Sequence, residues 1–259
     1  MSPASLAPPT SASARRAHCS FGLIVTGKGE RDFLPQLFGV LMLAAGCSFK
    51  VLAFTGQRGA ITSPRKQLRM VGTGKTIPDR DAAEIGLPAR RHLLAAPHHF
   101  VLLIDDLESN RRLQIGEIFA RYRAALTTLC PQVGDRAGVH FFANMLEAYY
   151  FAHSAAVHQA LGRLVLPGDW LGDVEEIEHP KNRLKELHPG FDERAAGAKI
   201  VPLLDLRHIL ANPATCAFLR SLMAWCVKQL RAHGQIYDEA LPGWFQLPTG
   251  KRAELTDGQ

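Results

Sequence analysis

The stretch FGLIVTGKGERDFLPQLF, residues 21–38, decides the expected fold because it contains the pattern of one strand, one tight turn and one helix. Residues 21–26 (FGLIVT) are rich in β-branched and aromatic side chains, and the segment GKG ends the run. From Glu30 onward, apolar residues recur with the spacing of an amphipathic helix. A strand followed directly by a helix is typical of an α/β protein.

Three more apolar runs predict further strands. They lie at residues 49–54 (FKVLAF), 99–104 (HFVLLI) and 138–143 (GVHFFA), with helical patterns between them. Continuous apolar strands that alternate with helices indicate a sheet covered on both faces. Beyond about residue 162 no strand is convincing, and a helix over residues 214–231 is predicted. We therefore expect an α/β fold with a mainly parallel sheet flanked by helices and a helical C-terminal extension.

The expected organisation has four parts. Residues 1–17 are rich in Pro, Ser and Ala, which predicts a disordered tail without a secretory signal. Residues 18–162 form the α/β domain, residues 163–235 a mainly helical extension packed on it, and residues 236–259 a C-terminal tail. A chain of 259 residues is long enough to bury a hydrophobic core without disulfides.

Cysteine usage and hydropathy exclude several protein classes. The five cysteines are an odd number and none form a CxxC pair, which argues against a disulfide framework and a zinc site. The longest apolar stretch, residues 37–47, is too short to cross a bilayer. We therefore expect no membrane association and a location in the reducing cytoplasm.

Positive charge is concentrated in residues 57–93. This segment contains eight basic and three acidic residues, a local excess of +5 in a chain whose formal net charge is +6. Such a segment attracts polyanions through phosphate contacts, and a solvated surface loop is the equally weighted alternative. We expect the nucleic-acid contacts to come from Arg65, Lys66, Arg69 and Lys75.

Acidic residues follow three of the predicted strands. Glu30 follows the first strand, Asp105, Asp106 and Glu108 follow the third, and Glu147 lies just past the fourth. The carboxyl ends of parallel strands share one edge of the sheet, where ligands bind, so several of these carboxylates are expected to meet. Carboxylate oxygens suit Mg²⁺ or Mn²⁺, which polarise phosphoryl oxygens. Helix capping by the same residues is the alternative that spacing alone leaves open.

Four segments resemble the uncharacterised Toprim-like family labelled DUF4276, a relative of the OLD-type Toprim nucleases. They are, in chain order, LIVTGKGERDFLPQLF, VLLIDDLESNRR, VHFFANMLEAYYFAH and HPKNRLKEL. The resemblance covers most of residues 21–230. It implies a small parallel α/β sheet with a glutamate after the first strand and an Asp-x-Asp motif after the third. It also implies Mg²⁺-dependent phosphodiester chemistry.

The family motifs carry over with two departures. Thr26 stands where the first-strand motif EGxxE has its leading glutamate, and Glu30 matches the second glutamate. The Asp-x-Asp motif is altered, because Asp106 is followed two residues later by Glu108. Glu147 matches a family glutamate that precedes an aromatic residue.

The resemblance therefore predicts a Toprim-like nuclease or related phosphodiester-processing protein that uses Mg²⁺ or Mn²⁺ and acts on nucleic acid in a bacterial defence system. The candidate catalytic residues are Glu30, Asp105, Asp106 and Glu147, and the candidate metal ligands are Glu30, Asp105, Asp106 and Glu108. Lys181 resembles the lysine of the family's Pro-Lys segment, and Lys28 and Lys181 are both expected to bind phosphate. Because Thr26 replaces a carboxylate, the alternative is a catalytically impaired interaction subunit that works beside an ATPase.

Overall fold

A four-stranded sheet organises the chain. The computed structural model describes residues 18–61, 74–234 and 249–257. The strands are β1 (Cys19–Val25), β2 (Cys47–Phe54), β3 (His99–Leu107) and β4 (Ala137–Ala143). Every neighbouring pair is parallel, and the strand order is β2-β1-β3-β4. All four strands predicted from the sequence are present, and the expected α/β fold is confirmed.

Helices connect the strands and cover the sheet. The α-helices are α1 (Lys28–Leu37), α2 (Gly39–Ala44), α3 (Leu87–Ala95), α4 (Ile115–Thr128), α5 (Ser154–Leu161), α6 (Pro180–Leu187), α7 (Glu193–Ile200), α8 (Leu206–Ile209) and α9 (Ala217–Ala232). A short α-helical turn (Asp79–Asp81) and a π-helical turn (Ala82–Gly86) run directly into α3. The 3₁₀ helices are Ser109–Gln114, Pro131–Arg136, Leu146–Ala152, Val174–Glu176 and Val201–Leu203. The predicted helical C-terminal extension is confirmed, since residues 163–234 contain helices and no strand.

The strands bury side chains on both faces of the sheet, which produces two hydrophobic layers. In β3, Phe100, Leu102 and Ile104 pack with α1 and α9, whereas Val101 and Leu103 pack with α3 and α4. We call these the α1 layer and the α4 layer. Successive side chains of a strand point to opposite faces, so burial on both sides requires a continuous apolar run.

The order of the strands creates a crevice at one edge of the sheet. β1 lies between β2 and β3. The chain therefore passes from β1 to β2 on one side of β1 and then crosses to β3 on the other side. In open parallel sheets, ligands bind outside the carboxyl ends of the strands at such a reversal. The segments that follow β1 and β3 therefore flank the expected binding position.

The segment 249–257 covers the outer edge of β4. The backbone N–H of Val139 donates to the Asp257 carboxylate at 2.7 Å, and the backbone N–H of Asp257 donates to the Val139 carbonyl at 3.3 Å. Arg123 also contacts the Asp257 carboxylate, at 3.2 Å. These bonds satisfy backbone groups that an edge strand otherwise leaves open to pairing with other chains.

Two expectations concern the chain ends and membranes. The tail predicted at residues 1–17 lies outside the described residues, as does most of the tail predicted at residues 236–259, and the division into four parts stays a prediction. Within the described ranges, no helix combines the length and the apolar character that crossing a lipid bilayer requires.

His140 is a buried polar residue in the middle of β4. Its side chain is fully buried, and the centres of the His140 and Trp225 rings are 5.8 Å apart. Within the described part of the chain, neither imidazole nitrogen has a hydrogen-bond partner. Burial, with Arg123 as a second cause, lowers the pKa of His140 to about 3. The imidazole is therefore neutral in the folded protein over most of the pH range.

We predict that His140 makes the protein less stable as the pH falls below 6.5. The unfolded chain then binds a proton that the native state excludes, so the free energy of unfolding decreases until the native pKa is reached. Between pH 7 and pH 5 the wild type is expected to lose about 2 kcal/mol more than the His140→Leu variant. Urea unfolding at both pH values measures this difference. The same pH dependence in both proteins contradicts the prediction.

Candidate functional site

The carboxyl ends of β1 and β3 bring Glu30 and Asp106 together. Glu30 lies in the first turn of α1, Asp106 lies near the end of β3, and both side chains are buried. The Glu30 carboxyl group is close enough to Asp106 to raise the pKa of that side chain. A Cβ atom on Gly27 would lie 1.6 Å from Glu30 Oε2 and 2.6 Å from Asp106 Oδ2. Glycine at this position therefore leaves the space that the two carboxyl groups occupy.

Glu147 is the third carboxylate at this edge. It is buried in the 3₁₀ helix Leu146–Ala152, directly after β4. The preceding residues, Asn144 and Met145, have φ angles of 56° and 82°, a left-handed conformation that costs of order 1 kcal/mol or more for residues other than glycine. This sharp turn ends β4 and begins the helix that carries Glu147.

Lys181 is the cation nearest to Glu147. It lies in the first turn of α6, half-buried, with Nζ 3.6 Å from Glu147 Oε1 and 3.3 Å from Glu193 Oε2. Burial lowers the pKa of Lys181, but the two carboxylates outweigh it, so the net pKa is raised and the lysine stays charged. Burial raises the pKa of Glu147 to about 7, Lys181 opposes this shift and Glu30 adds to it.

Asp106 carries a buried carboxyl oxygen without a partner among the described residues. Its Oδ1 atom is buried and lacks a hydrogen-bond partner in the described part of the chain. Burial raises the pKa of Asp106 well above its ordinary range, and the charges of Glu30, Glu147 and Asp105 raise it further. Several buried carboxylates beside one lysine require a proton or a cation. Perturbed groups of this kind concentrate at functional sites.

Asp105 makes a different set of contacts, because it points into the α4 layer. Its carboxylate accepts hydrogen bonds from the Thr26 hydroxyl at 2.6 Å, from the Tyr122 hydroxyl at 3.0 Å and from Arg111 Nη2 at 2.6 Å. Asp105 is completely buried. These contacts satisfy the carboxylate internally, and they join the ends of β1 and β3 to α4.

Glu108 also lies outside the group formed by Glu30, Asp106 and Glu147. It is half-buried at the start of the 3₁₀ helix Ser109–Gln114. In the described residues, no hydrogen bond or ion pair joins its carboxylate to those three side chains. Of the four candidate metal ligands, the structure therefore brings together Glu30 and Asp106, and it adds Glu147 from the candidate catalytic set.

The predicted phosphate-binding residues divide into three groups. Lys28 and Lys181 line a cleft of about 250 Å³ together with Glu147. Lys75 is elsewhere and pairs with Asp79 at 2.6 Å. Arg65, Lys66 and Arg69 lie outside the described residues.

Part of the positive charge in residues 57–93 is neutralised within the fold. Arg58 is buried and pairs with Asp81 at 2.8 Å, and it also contacts Glu84. Arg80 contacts Glu84 at 2.8 Å. The Tyr122 hydroxyl accepts from the backbone N–H of Arg58 at 2.9 Å, which links this ion-pair network to Asp105.

Sequence reasoning missed Arg111 and Tyr122. Both contact Asp105, yet they lie six and seventeen residues after it, a spacing that matches no motif. A basic residue in the segment LESNRR and a tyrosine on an amphipathic helix are too common to identify such a role. Only the tertiary structure brings them to Asp105, Arg111 from the 3₁₀ helix Ser109–Gln114 and Tyr122 from α4.

The donor atoms suit a hard divalent cation. In the described residues, no three His, Cys, Asp or Glu side chains are arranged to hold a metal ion. Mg²⁺ is usually bound by one or two carboxylates and keeps several waters, so a set of two is sufficient. Glu30 and Asp106 provide two contacting carboxyl groups, and Asp106 Oδ1 has an unused lone pair. The chemistry of this pair fits Mg²⁺ or Mn²⁺.

Comparisons with known proteins give one weak similarity. No protein-family model matches the chain, and no curated protein matches it in sequence. The chain is similar in structure to the C-terminal region of an OLD protein from Xanthomonas campestris pv. campestris, with a TM-score of 0.31 and 16% sequence identity. That similarity covers 74% of this chain and 88% of the other. Similarity at this level supports no conclusion about function, and membership of the Toprim-like family stays a prediction.

We predict that Asp106→Asn stabilises the protein at pH 8 in the absence of divalent ions. Because the native pKa of Asp106 is raised, the native state keeps its proton to higher pH than the unfolded chain does, and stability decreases as the pH rises through that pKa. Asparagine removes this penalty. The gain in the urea midpoint is expected to shrink as the pH is lowered toward 4.

The adjacent Asp105→Asn variant is the matched control, with the opposite sign. It leaves Arg111, which is mostly buried, without its charged partner, and the expected destabilisation is about 3 kcal/mol. If both variants change stability in the same direction, the assignment of the two aspartates to different faces of the sheet is wrong.

Proposed function

We propose that the protein is a divalent-metal-dependent phosphodiester hydrolase that acts on nucleic acid, with Glu30, Asp106 and Glu147 at its centre. The observation that carries this proposal is the burial of three carboxyl groups at the crevice beside β1 and β3, with Asp106 Oδ1 unpartnered. Such an arrangement lowers stability. Buried carboxyl groups of this kind are concentrated at sites that bind a cation or transfer a proton. The family resemblance of the surrounding segments agrees with this choice.

Each residue has a role that follows from its contacts. Glu30 and Asp106 would hold the ion, which would polarise a phosphoryl oxygen and make the attacking water more acidic. Glu147 is the remaining carboxylate and accepts the proton of the attacking water. Lys181, which Glu147 and Glu193 keep charged, donates to a phosphate oxygen together with Lys28. Water adds to phosphorus, the bond to the leaving oxygen breaks, and solvent protonates that oxygen.

We expect the wild type to cleave supercoiled plasmid or short single-stranded DNA when Mg²⁺ or Mn²⁺ is supplied. Glu30→Gln, Asp106→Asn and Glu147→Gln should each lower the rate by about 100-fold or more, because each removes a charged ligand or the proton acceptor. The measurement is the initial cleavage rate on gels at saturating metal.

Glu117→Gln is the control for that experiment. Glu117 is an exposed carboxylate on α4, and its loss should leave the rate unchanged. Cleavage that persists in Glu30→Gln and Asp106→Asn assigns the activity to another site or to a contaminant, and this result overturns the proposal.

A second candidate function is a non-catalytic subunit that binds beside an ATPase. Thr26 favours it, since this residue stands where the family motif has a glutamate, and its hydroxyl donates to Asp105 at 2.6 Å. A threonine provides neither a charged ligand nor a general base. Binding of Mn²⁺ measured by calorimetry separates the two candidates. Saturable binding that disappears in Asp106→Asn supports the hydrolase, and absence of binding together with absence of cleavage supports the subunit.

A further inference from the structure

A large groove shares none of its lining residues with the cleft of the proposed site. Its volume is about 940 Å³, within the range of small-molecule and cofactor sites. The walls come from the 3₁₀ helix Leu146–Ala152, the loop 167–172 and α6. Two of these elements also carry Glu147 and Lys181, so the groove and the proposed hydrolase site share two elements.

Trp170 is the flat aromatic surface of the groove. Its backbone N–H donates to the Phe151 carbonyl at 2.8 Å, and the Phe151 ring meets the indole edge-on, with ring centres 6.4 Å apart. These contacts hold the loop 167–172 against the helix that carries Glu147. The indole is nevertheless 37% exposed. A fixed aromatic ring that stays open to solvent is suited to bind a planar ligand.

Arg183 is the cation of the groove. Its guanidinium lies over the Trp170 ring, 4.4 Å from the ring centre. The residue is exposed, and in the described part of the chain no carboxylate pairs with it. The indole supports one face of the guanidinium, which leaves the other face available. Guanidinium planes stack on nucleobases and also attract phosphate.

One helix contributes both to the groove and to the carboxylates. Phe151 follows Glu147 by four residues on one 3₁₀ helix, which is about 8 Å along the helix axis. That distance corresponds to about two nucleotides of stacked strand. Leu171 and Leu187, both exposed, add apolar surface at the rim.

We infer that this groove binds an unpaired nucleobase, which stacks on Arg183 and Trp170 while a phosphodiester farther along the same strand lies at the carboxylates. The inference rests on the proposed function, and it names the substrate class as single-stranded or locally unpaired nucleic acid. A duplex buries its bases in the stack and cannot present one to the groove. Stacking tolerates any base, so we expect little sequence preference.

The test compares two fluorescent single strands of equal length and charge, one with bases and one fully abasic, by anisotropy in EDTA. The wild type is expected to bind the strand with bases about 5- to 100-fold more tightly. Arg183→Lys keeps the positive charge but lacks the planar guanidinium, so this variant should bind the two strands with equal affinity. Trp170→Ala should do the same. RNA strands of both kinds establish which nucleic acid is preferred.

Lys199→Ala is the control for charge, because it removes an exposed cation at the end of α7 and should weaken binding to both strands equally. Arg183→Lys changes only an exposed side chain, and circular dichroism checks its fold. A base preference that survives in Arg183→Lys, or is absent from the wild type, overturns the inference and leaves the groove for a protein partner. Binding is measured without metal and is therefore independent of cleavage. If the wild type prefers the strand with bases but cleaves neither strand when metal is supplied, the proposed hydrolase activity is refuted and base binding in the groove is not.

Discussion

Two adjacent aspartates at the end of β3 point to opposite faces of the sheet, and the arrangement of the site depends on this alternation. Asp106 continues the series of Leu102 and Ile104 into the α1 layer, whereas Asp105 continues the series of Val101 and Leu103 into the α4 layer. Neighbouring side chains in a strand cannot share one face. Asp106 therefore faces Glu30 and Glu147, and Asp105 links the ends of β1 and β3 to α4.

The two faces treat a buried carboxylate in opposite ways. In the α4 layer, Asp105 accepts hydrogen bonds from a threonine, a tyrosine and an arginine, so its charge is neutralised where it lies. In the α1 layer, Asp106 faces Glu30 and Glu147, and Lys181 pairs with Glu147. A buried charge is tolerated when paired, and an unpaired one is retained when function requires it. The two neighbouring aspartates therefore differ in how their burial is compensated.

The surrounding backbone is adapted to this crowding. Gly27 leaves space for the carboxyl groups of Glu30 and Asp106, and Asn144 and Met145 adopt left-handed conformations just before Glu147. Hydrogen bonds hold the turn, since Asn144 donates from its backbone to Leu107 and from its side chain to the carbonyl of residue 175. Strain of this kind persists only where neighbouring contacts impose it. The fold thus maintains a charge arrangement that is unfavourable on its own.

The sequence by itself determined the four strands, their parallel class, the helical C-terminal part and the presence of acidic residues at the strand ends. These features are local, because apolar runs, turn residues and helical spacing are properties of neighbours in the chain. Tertiary structure decided which carboxylates meet. Asp105 left the predicted group because of strand alternation and the packing of Arg111 and Tyr122, whereas Glu147 stayed with Glu30 because β4 ends at the same edge. Distances between separate elements are not encoded in any short motif, so no spacing rule could supply them.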